Sequence, residues 1–433
     1  MKLLREHDLR RRLADEAHAR PFQPSDSPVR VTHLAMVQNQ TDQKLIHSHL
    51  GELCGLYDIR LPPMDARHFS ADFGDFRLRW ERHTEYSSYT LTVSASEGAP
   101  FSETALSKAP EQWIENMPGR LIAGGHLEMQ RDDSRLDLDQ ARTWFGGNPV
   151  IGADMAGGRA TCWTDFQLHS DGFGRILVRD RGMSSGQTGR LIQRLFEIDT
   201  YRMMAMMALP DAQLAMPRIV RIDRELNKVT TALTESSGAD SERQLLDRLS
   251  RLAAMVESIG ARSGDRFSAA EAYYAIVEVR VRELREARIE GLQTIEEFMD
   301  RRLAPAMRTV VSTSGRLSAL SARIARASDL LQARIDVALE AQNRDLLASM
   351  DRRAKLQLRL QETVEGLSVA AITYYAVGLV SYLAKGLHAS GLPVNYEIVT
   401  AVAVPVIALL AWFGVRRIRR KIGAENQTAE AGD

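Results

Sequence analysis

Two runs without a charged residue stand near the C-terminal end of the chain. GLSVAAITYYAVGLVSYLA covers residues 366–384, between Glu365 and Lys385, and IVTAVAVPVIALLAWFGV covers 398–415, between Glu397 and Arg416. Each is close to the ~20 apolar residues a helix needs to cross a ~30 Å hydrocarbon core. A buried core helix is the alternative, and the Ser, Thr and Gly of the first run would permit it. The pairing argues for two membrane spans instead. So do Tyr374, Tyr375, Tyr382, Tyr396 and Trp412, some of which would sit at interface depth. Pro405 is tolerated in a membrane helix.

Basic residues set the expected orientation. Arg352, Arg353, Lys355 and Arg359 precede the first run, and Arg416, Arg417, Arg419, Arg420 and Lys421 follow the second. The connector 385–397 holds only Lys385 and His388. Positive residues favour the cytoplasmic side. Both termini are therefore expected in the cytoplasm of a bacterial cell, with a short outer loop and the lipid bilayer of the inner membrane as a partner.

Composition hides this arrangement. Lys+Arg and Asp+Glu are both 56, so the formal net charge is zero. That balance, with 44% apolar residues, excludes a disordered or collagen-like chain and a strongly basic nucleic-acid binder. Two cysteines, Cys54 and Cys162, suit a reducing compartment better than a disulfide framework. The start MKLLREHDLRRRL is charged throughout and does not read as a signal peptide.

The fold class expected is an α+β cytosolic head domain, then a long helical stalk, then a C-terminal two-helix transmembrane hairpin. The boundaries are 1–210 for the head, 211–304 for a helical hairpin or bundle and 305–365 for the stalk helix. Spans at 366–384 and 398–415 follow, with the outer loop 385–397 between them and a basic tail at 416–433. In the head, residues 1–20 read as a charged helix, and Pro21, Pro24 and Pro28 enforce an extended link. VRVTHLAMV (29–37) reads as a buried strand, 41–54 as a helix, and RLIAGGHLEMQ (120–130) as a further strand. FRLRWERH (76–83) and YSSYTLTVS (86–94) form one hairpin; RATCWTDFQLH (159–169) and GRILVRD (174–180) form another around Ser170-Asp171-Gly172. Gly146, Gly147, Gly152, Gly157 and Gly158 mark a loop.

From residue 186 the apolar period becomes helical. The cluster Met203, Met204, Met206 and Met207 reads as filler between helix and sheet, with an adaptable binding surface as the alternative. Pro210 ends that helix. A helical pair follows at 219–236 and 241–262 around Ser236-Ser237-Gly238, then a helix at 266–303. Pro305 suits the first turn of the next helix. Apolar positions Leu317, Leu320, Ile324, Leu331, Ile335, Leu339, Leu346 and Met350 line that helix, and Leu356, Leu360 and Val364 carry the stripe toward the membrane. Ile324, Ile335 and Leu346 recur at an interval near that of a straight or slightly right-handed stalk. Such a stripe must be covered by helices 219–303 or by copies of the chain, so a homo-oligomer is expected.

No catalytic motif stands out. Arg79, Glu81, His83 and Glu85 alternate on one strand face. They form the candidate polar site of the head, together with His18 and Arg20; an exposed salt-linked face, and packing or capping for His18 and Arg20, are the plainer readings. His47 and His49 face different ways on a helix. Asp165 and His169 share one strand face, with no nucleophile between them. No cofactor, metal or enzymatic activity is expected.

Long blocks nonetheless carry a resemblance. DEAHARP (15–21), FRLRWERHTE (76–85), DGFGRILV (171–178), GRLIQRLFEIDTYRMMAMMALP (189–210) and the stretch 339–387 resemble an uncharacterised bacterial family of membrane-anchored proteins, domain of unknown function 3422. The resemblance implies location and topology and no activity. The order of elements also resembles CorA-type magnesium channels, which implies a pore lined by the first span, with Gly378, Tyr382, Lys385 and Gly386 toward its outer mouth. The Gly-Met-Asn of those channels is absent, and a ring of Lys385 ammonium groups would repel a divalent cation. The function expected is thus a membrane-anchored binding or scaffold protein with cytosolic protein partners, the alternative being a CorA-like cation transporter.

Overall fold

The computed structural model describes residues 6–429 apart from 12, 15–21, 39–42, 96–97, 132–137, 236–238 and 390–394. Side chains at 138, 139, 239, 240, 388, 396 and 418–429 also stand outside the description. The chain divides into two compact units, residues 1–329 and 330–433.

Among the described residues a mixed sheet of nine strands runs through the first unit. The strands are β1 Val29–Val37, β2 His68–Asp72, β3 Arg77–Arg82, β4 Tyr86–Ser94, β5 Arg120–Arg131, β6 Ile151–Met155, β7 Ala160–Thr164, β8 Gly174–Asp180 and β9 Ala287–Arg288. Their order is β2-β3-β4-β1-β5-β8-β7-β6-β9, with β5 and β8 parallel. The helices are α1 Gln43–Leu56, α2 Glu111–Glu115, α3 Leu138–Trp144, α4 Ser185–Met206, α5 Leu209–Glu235, α6 Ala239–Leu284, α7 Ile295–Ala389 and α8 Tyr396–Ala429.

Side chains alternate across a strand, so each strand feeds two different layers. In β1, Leu34 and Met36 join Ile46, Leu50 and Leu53 of α1 in one core. Val29 and Val31 join Leu191, Leu195 and Phe196 of α4 in the other. In β3 and β4 the alternation is also one of polarity. Leu78, Trp80, Tyr89 and Leu91 are buried in the α1 core, which leaves Arg79, Glu81, Ser88, Thr90 and Thr92 for the face toward α4. Met204 fills space beside Ala35 and Tyr86, the filler role expected of the methionine cluster.

The strand readings at 29–37 and 120–130 and both hairpins correspond to β1, β5, β3–β4 and β7–β8, and the helix at 41–54 to α1. Elsewhere the boundaries differ. The glycine-marked loop contains β6, whose Ile151, Ala153 and Met155 are buried. Asp165 and His169 lie beyond the end of β7 rather than in a strand, and their side chains meet at 3.0 Å. Pro210 sits in the first turn of α5, and Pro217 lies inside that helix. α6 runs unbroken through 262–266.

The helix expected at 266–303 is interrupted at 285–294. Arg285 takes a left-handed φ of 51°, which ends α6, and β9 then pairs with β6. Thr294 and Glu297 restart the helix as a capping box. The Glu297 N–H donates to Thr294 Oγ1 at 3.1 Å, and the Thr294 N–H donates to Glu297 Oε2 at 3.2 Å. Glu286 accepts the next two orphan donors, from the Ile295 and Glu296 N–H groups, both at 2.9 Å. The first turn of α7 is thus satisfied ahead of Pro305, which lies inside the helix and not at its start.

In the first unit Leu317, Leu320 and Ile324 of α7 are buried, and Arg323 bonds Asp223 and Asn227 of α5. In the second unit Leu339, Leu346, Met350, Leu356, Leu360 and Val364 are exposed. α7 and α8 are both long and apolar enough to cross a membrane, and their most apolar windows are 6% and 0% buried in the protein. A core helix would be covered; these are not.

Candidate functional site

The polar face of β3 and β4 does not meet the apolar side of α4 flush. A cavity of about 250 Å³ remains between them, lined by side chains of β1, β3, β4, α4 and α6 and by Gln23 and Ser25 of the N-terminal segment. Gly189 positions that segment. A Cβ there would lie 2.0 Å from the Gln23 carbonyl oxygen, so only glycine lets residues 22–26 cross the start of α4. The Ser25 N–H donates to the Ser185 carbonyl at 3.1 Å, and Ser185 bonds Asp26.

His33 is the hub of the cavity. Its Nδ1 lies 2.8 Å from Thr90 Oγ1 and its Nε2 lies 3.3 Å from Thr200 Oγ1. A neutral imidazole has one donor and one acceptor nitrogen, so the two threonines take opposite roles. The ring stacks on Phe196 at 4.9 Å. Enclosure by protein holds the His33 pKa down at about 3, with His83 and Arg79 adding to the effect. His33 is therefore neutral at physiological pH.

The charged side chains are tied to one another. Arg79 and Glu81 pair at 2.8 Å, both largely buried at 12% and 13% exposure. Across the cavity Arg280 of α6 pairs with Glu197 of α4 and, at 3.1 Å, with Glu283, which also holds Arg194 at 3.0 Å. His83 stacks on Tyr86 at 4.2 Å. Burial, and then Tyr201, push the Tyr86 hydroxyl well above the usual tyrosine range. Glu85 lies outside the lining and accepts from Tyr273 at 2.6 Å and Arg266 at 3.0 Å.

In the second unit Gly378, Tyr382 and Gly386 follow at steps of four along α7, with Tyr382 exposed. Lys385 is exposed beside them. Arg352, Arg353, Lys355 and Arg359 are exposed on α7, and Lys355 bonds Asp351 at 2.7 Å. Arg416 and Arg417 are exposed on α8, and Arg416 lies over the Trp412 ring at 4.8 Å. Arg419, Arg420 and Lys421 lie on α8 with side chains outside the described ones.

Residues 5–422 match the family described as proteins of unknown function, DUF3422. The chain belongs to the DUF3422 family. No curated protein matches it.

Of the DUF3422 residues singled out by sequence, the structure brings Arg79, Glu81 and His83 into one cavity wall. The pair is salt-linked but largely buried, not exposed. His18 and Arg20 lie outside the described residues. Sequence reasoning missed His33, Thr90, Thr200, Glu197 and Arg280. A usable signal was present in β4, where Ser88, Thr90 and Thr92 alternate with Tyr89, Leu91 and Val93. His49 is buried against Trp113, to whose carbonyl it bonds at 2.7 Å. Among the described residues no group of three or more His, Cys, Asp or Glu could hold a metal ion.

Proposed function

We propose that this DUF3422 protein is a membrane-anchored binding protein and not an enzyme. Its cytosolic α+β head takes a small ligand into the cavity between β3–β4 and α4, and its C-terminal helical hairpin sits in the inner membrane. The observation that carries the reading is the state of the lining. His33 is engaged at both ring nitrogens, and each carboxylate of the lining is ion-paired, which suits recognition better than proton transfer. The uncovered apolar windows of α7 and α8, with basic residues on both flanks, support the anchor and its orientation. The exposed stripe from Leu339 to Val364 supports assembly with further copies.

The test uses cysteine accessibility in intact cells and in inverted vesicles. Cys54 and Cys162 are both buried, so an introduced thiol reports cleanly. Asn395→Cys is expected to label only from outside, and Arg352→Cys and Arg417→Cys only from the cytosolic side. Extraction of the chain by alkaline carbonate would overturn the anchor.

The unbroken α7 favours a second reading, a CorA-like cation pathway along the first span. Liposome flux through the wild type and Lys385→Asn tests it; no flux of any ion in either sinks it.

A further inference from the structure

The cavity lining contains Arg79 and Arg280 against Glu81 and Glu197. These four charges balance and His33 adds none, while His83 stands in the same wall, stacked on Tyr86. A ligand with net charge would have to compete with ion pairs already formed in the lining, which is costly where those groups are buried. A zwitterion would need a cation and an anion without ionic partners, and each charge of the lining already holds one. The Arg79–Glu81 contact uses one guanidinium N–H and one carboxylate oxygen. Spare donors of Arg79 thus stand next to the second oxygen of Glu81. A hydroxyl both donates and accepts, so adjacent hydroxyls on a ligand complement such a side-by-side arrangement. Ser88, Thr90, Thr92 and Thr200 extend the same chemistry along the strands and α4. Tyr86, Phe196 and Ile192 are the less polar part of the lining. At about 250 Å³, the space falls just below the ~300–1,000 Å³ of pockets for drug-sized ligands.

We propose that the cavity binds a small, uncharged, hydroxyl-rich molecule of monosaccharide or cyclitol size, with the Arg79–Glu81 pair gripping adjacent hydroxyls. This rests on the reading of the head as a ligand-binding domain. The test is equilibrium dialysis of the detergent-solubilised full chain against three defined sets, with retained compounds quantified by mass. The first set holds pentoses, hexoses, alditols and inositols, the second amino acids, and the third small carboxylates and phosphate esters. The expected result is retention from the first set, weakened at least tenfold by Arg79→Ala and by the milder Glu81→Gln. Both variants are first checked for an unchanged melting profile, and Ser88→Ala replaces either one that fails to fold. Retention only from the second or third set would overturn the ligand class and leave the binding-head reading standing. Retention of nothing would overturn both. Retention from the first set that no folded variant weakens would overturn the placement in this cavity.

Discussion

His33 Nδ1 stands 2.8 Å from the hydroxyl of Thr90, its register partner on β4. The bond joins two adjacent strands on the cavity side of the sheet. The His33 pKa is held at about 3, below the 6.5 of an unfolded histidine. The unfolded chain therefore binds more protons than the folded one between those values. Stability is retained above pH 6.5 and lost as pH falls through that window, at up to about 1.4 kcal/mol per pH unit for one full proton. His126, held at about 4 chiefly by burial, acts in the same direction. Glu286, raised by burial, opposes them. Chemical denaturation at pH 7.5, 6.0 and 5.0 is expected to show falling stability. His33→Gln should flatten the slope without abolishing it, and an unchanged slope would remove His33 from the account.

Gly189→Ala is expected to lift residues 22–26 off α4, because its Cβ meets the Gln23 carbonyl and then Pro24 Cα, at 3.4 Å. Overpacking of this kind costs about 1–3 kcal/mol. Denaturation together with faster proteolysis before residue 29 checks it; a variant as stable and as protected as wild type contradicts the close approach.

The start of α7 offers a graded comparison. Thr294→Ala removes one side-chain cap and should cost about 1 kcal/mol. Glu286→Ala strips the acceptor from two N–H groups and should cost more. Hydrogen exchange at residues 295–297 should accelerate in both, with the larger effect in Glu286→Ala.

Arg280 and Glu197 tie α6 to α4 at the rim of the cavity. A double-mutant cycle with Arg280→Ala and Glu197→Ala is expected to give a coupling of about 1 kcal/mol or more, above that of an exposed pair. Additivity would show the pair to be worth no more than its surroundings.

Much of the head was legible because its strands announce themselves by period. The run 29–37 is β1 to the residue, and the alternation of Arg79, Glu81 and His83 placed them on one face. The same period cannot say which faces meet. His33 and Thr200 are 167 residues apart, and nothing local in α4 marks Thr200 as the partner of a β1 histidine. The start of α7 was hidden for another reason. Pro305 drew attention as a helix opener, while the capping box of Thr294 and Glu297 lay before it in the sequence. In β6, Gly152 between apolar residues masqueraded as part of a loop, although its N–H bonds the Gln293 carbonyl at 2.9 Å.

The strict alternation of β3 and β4 makes the head intolerant of a particular class of genetic change. Between these strands the chain turns through residues 83–85, where the His83 N–H bonds the Tyr86 carbonyl at 2.8 Å. Adding or deleting one codon on the strand side of that turn would transpose the two faces. Leu78 and Trp80 would then face the polar cavity, and Arg79 and Glu81 would be driven into the α1 core. Cavity and core are thus a single locus, read in one frame, and neither can drift in sequence without carrying the other along.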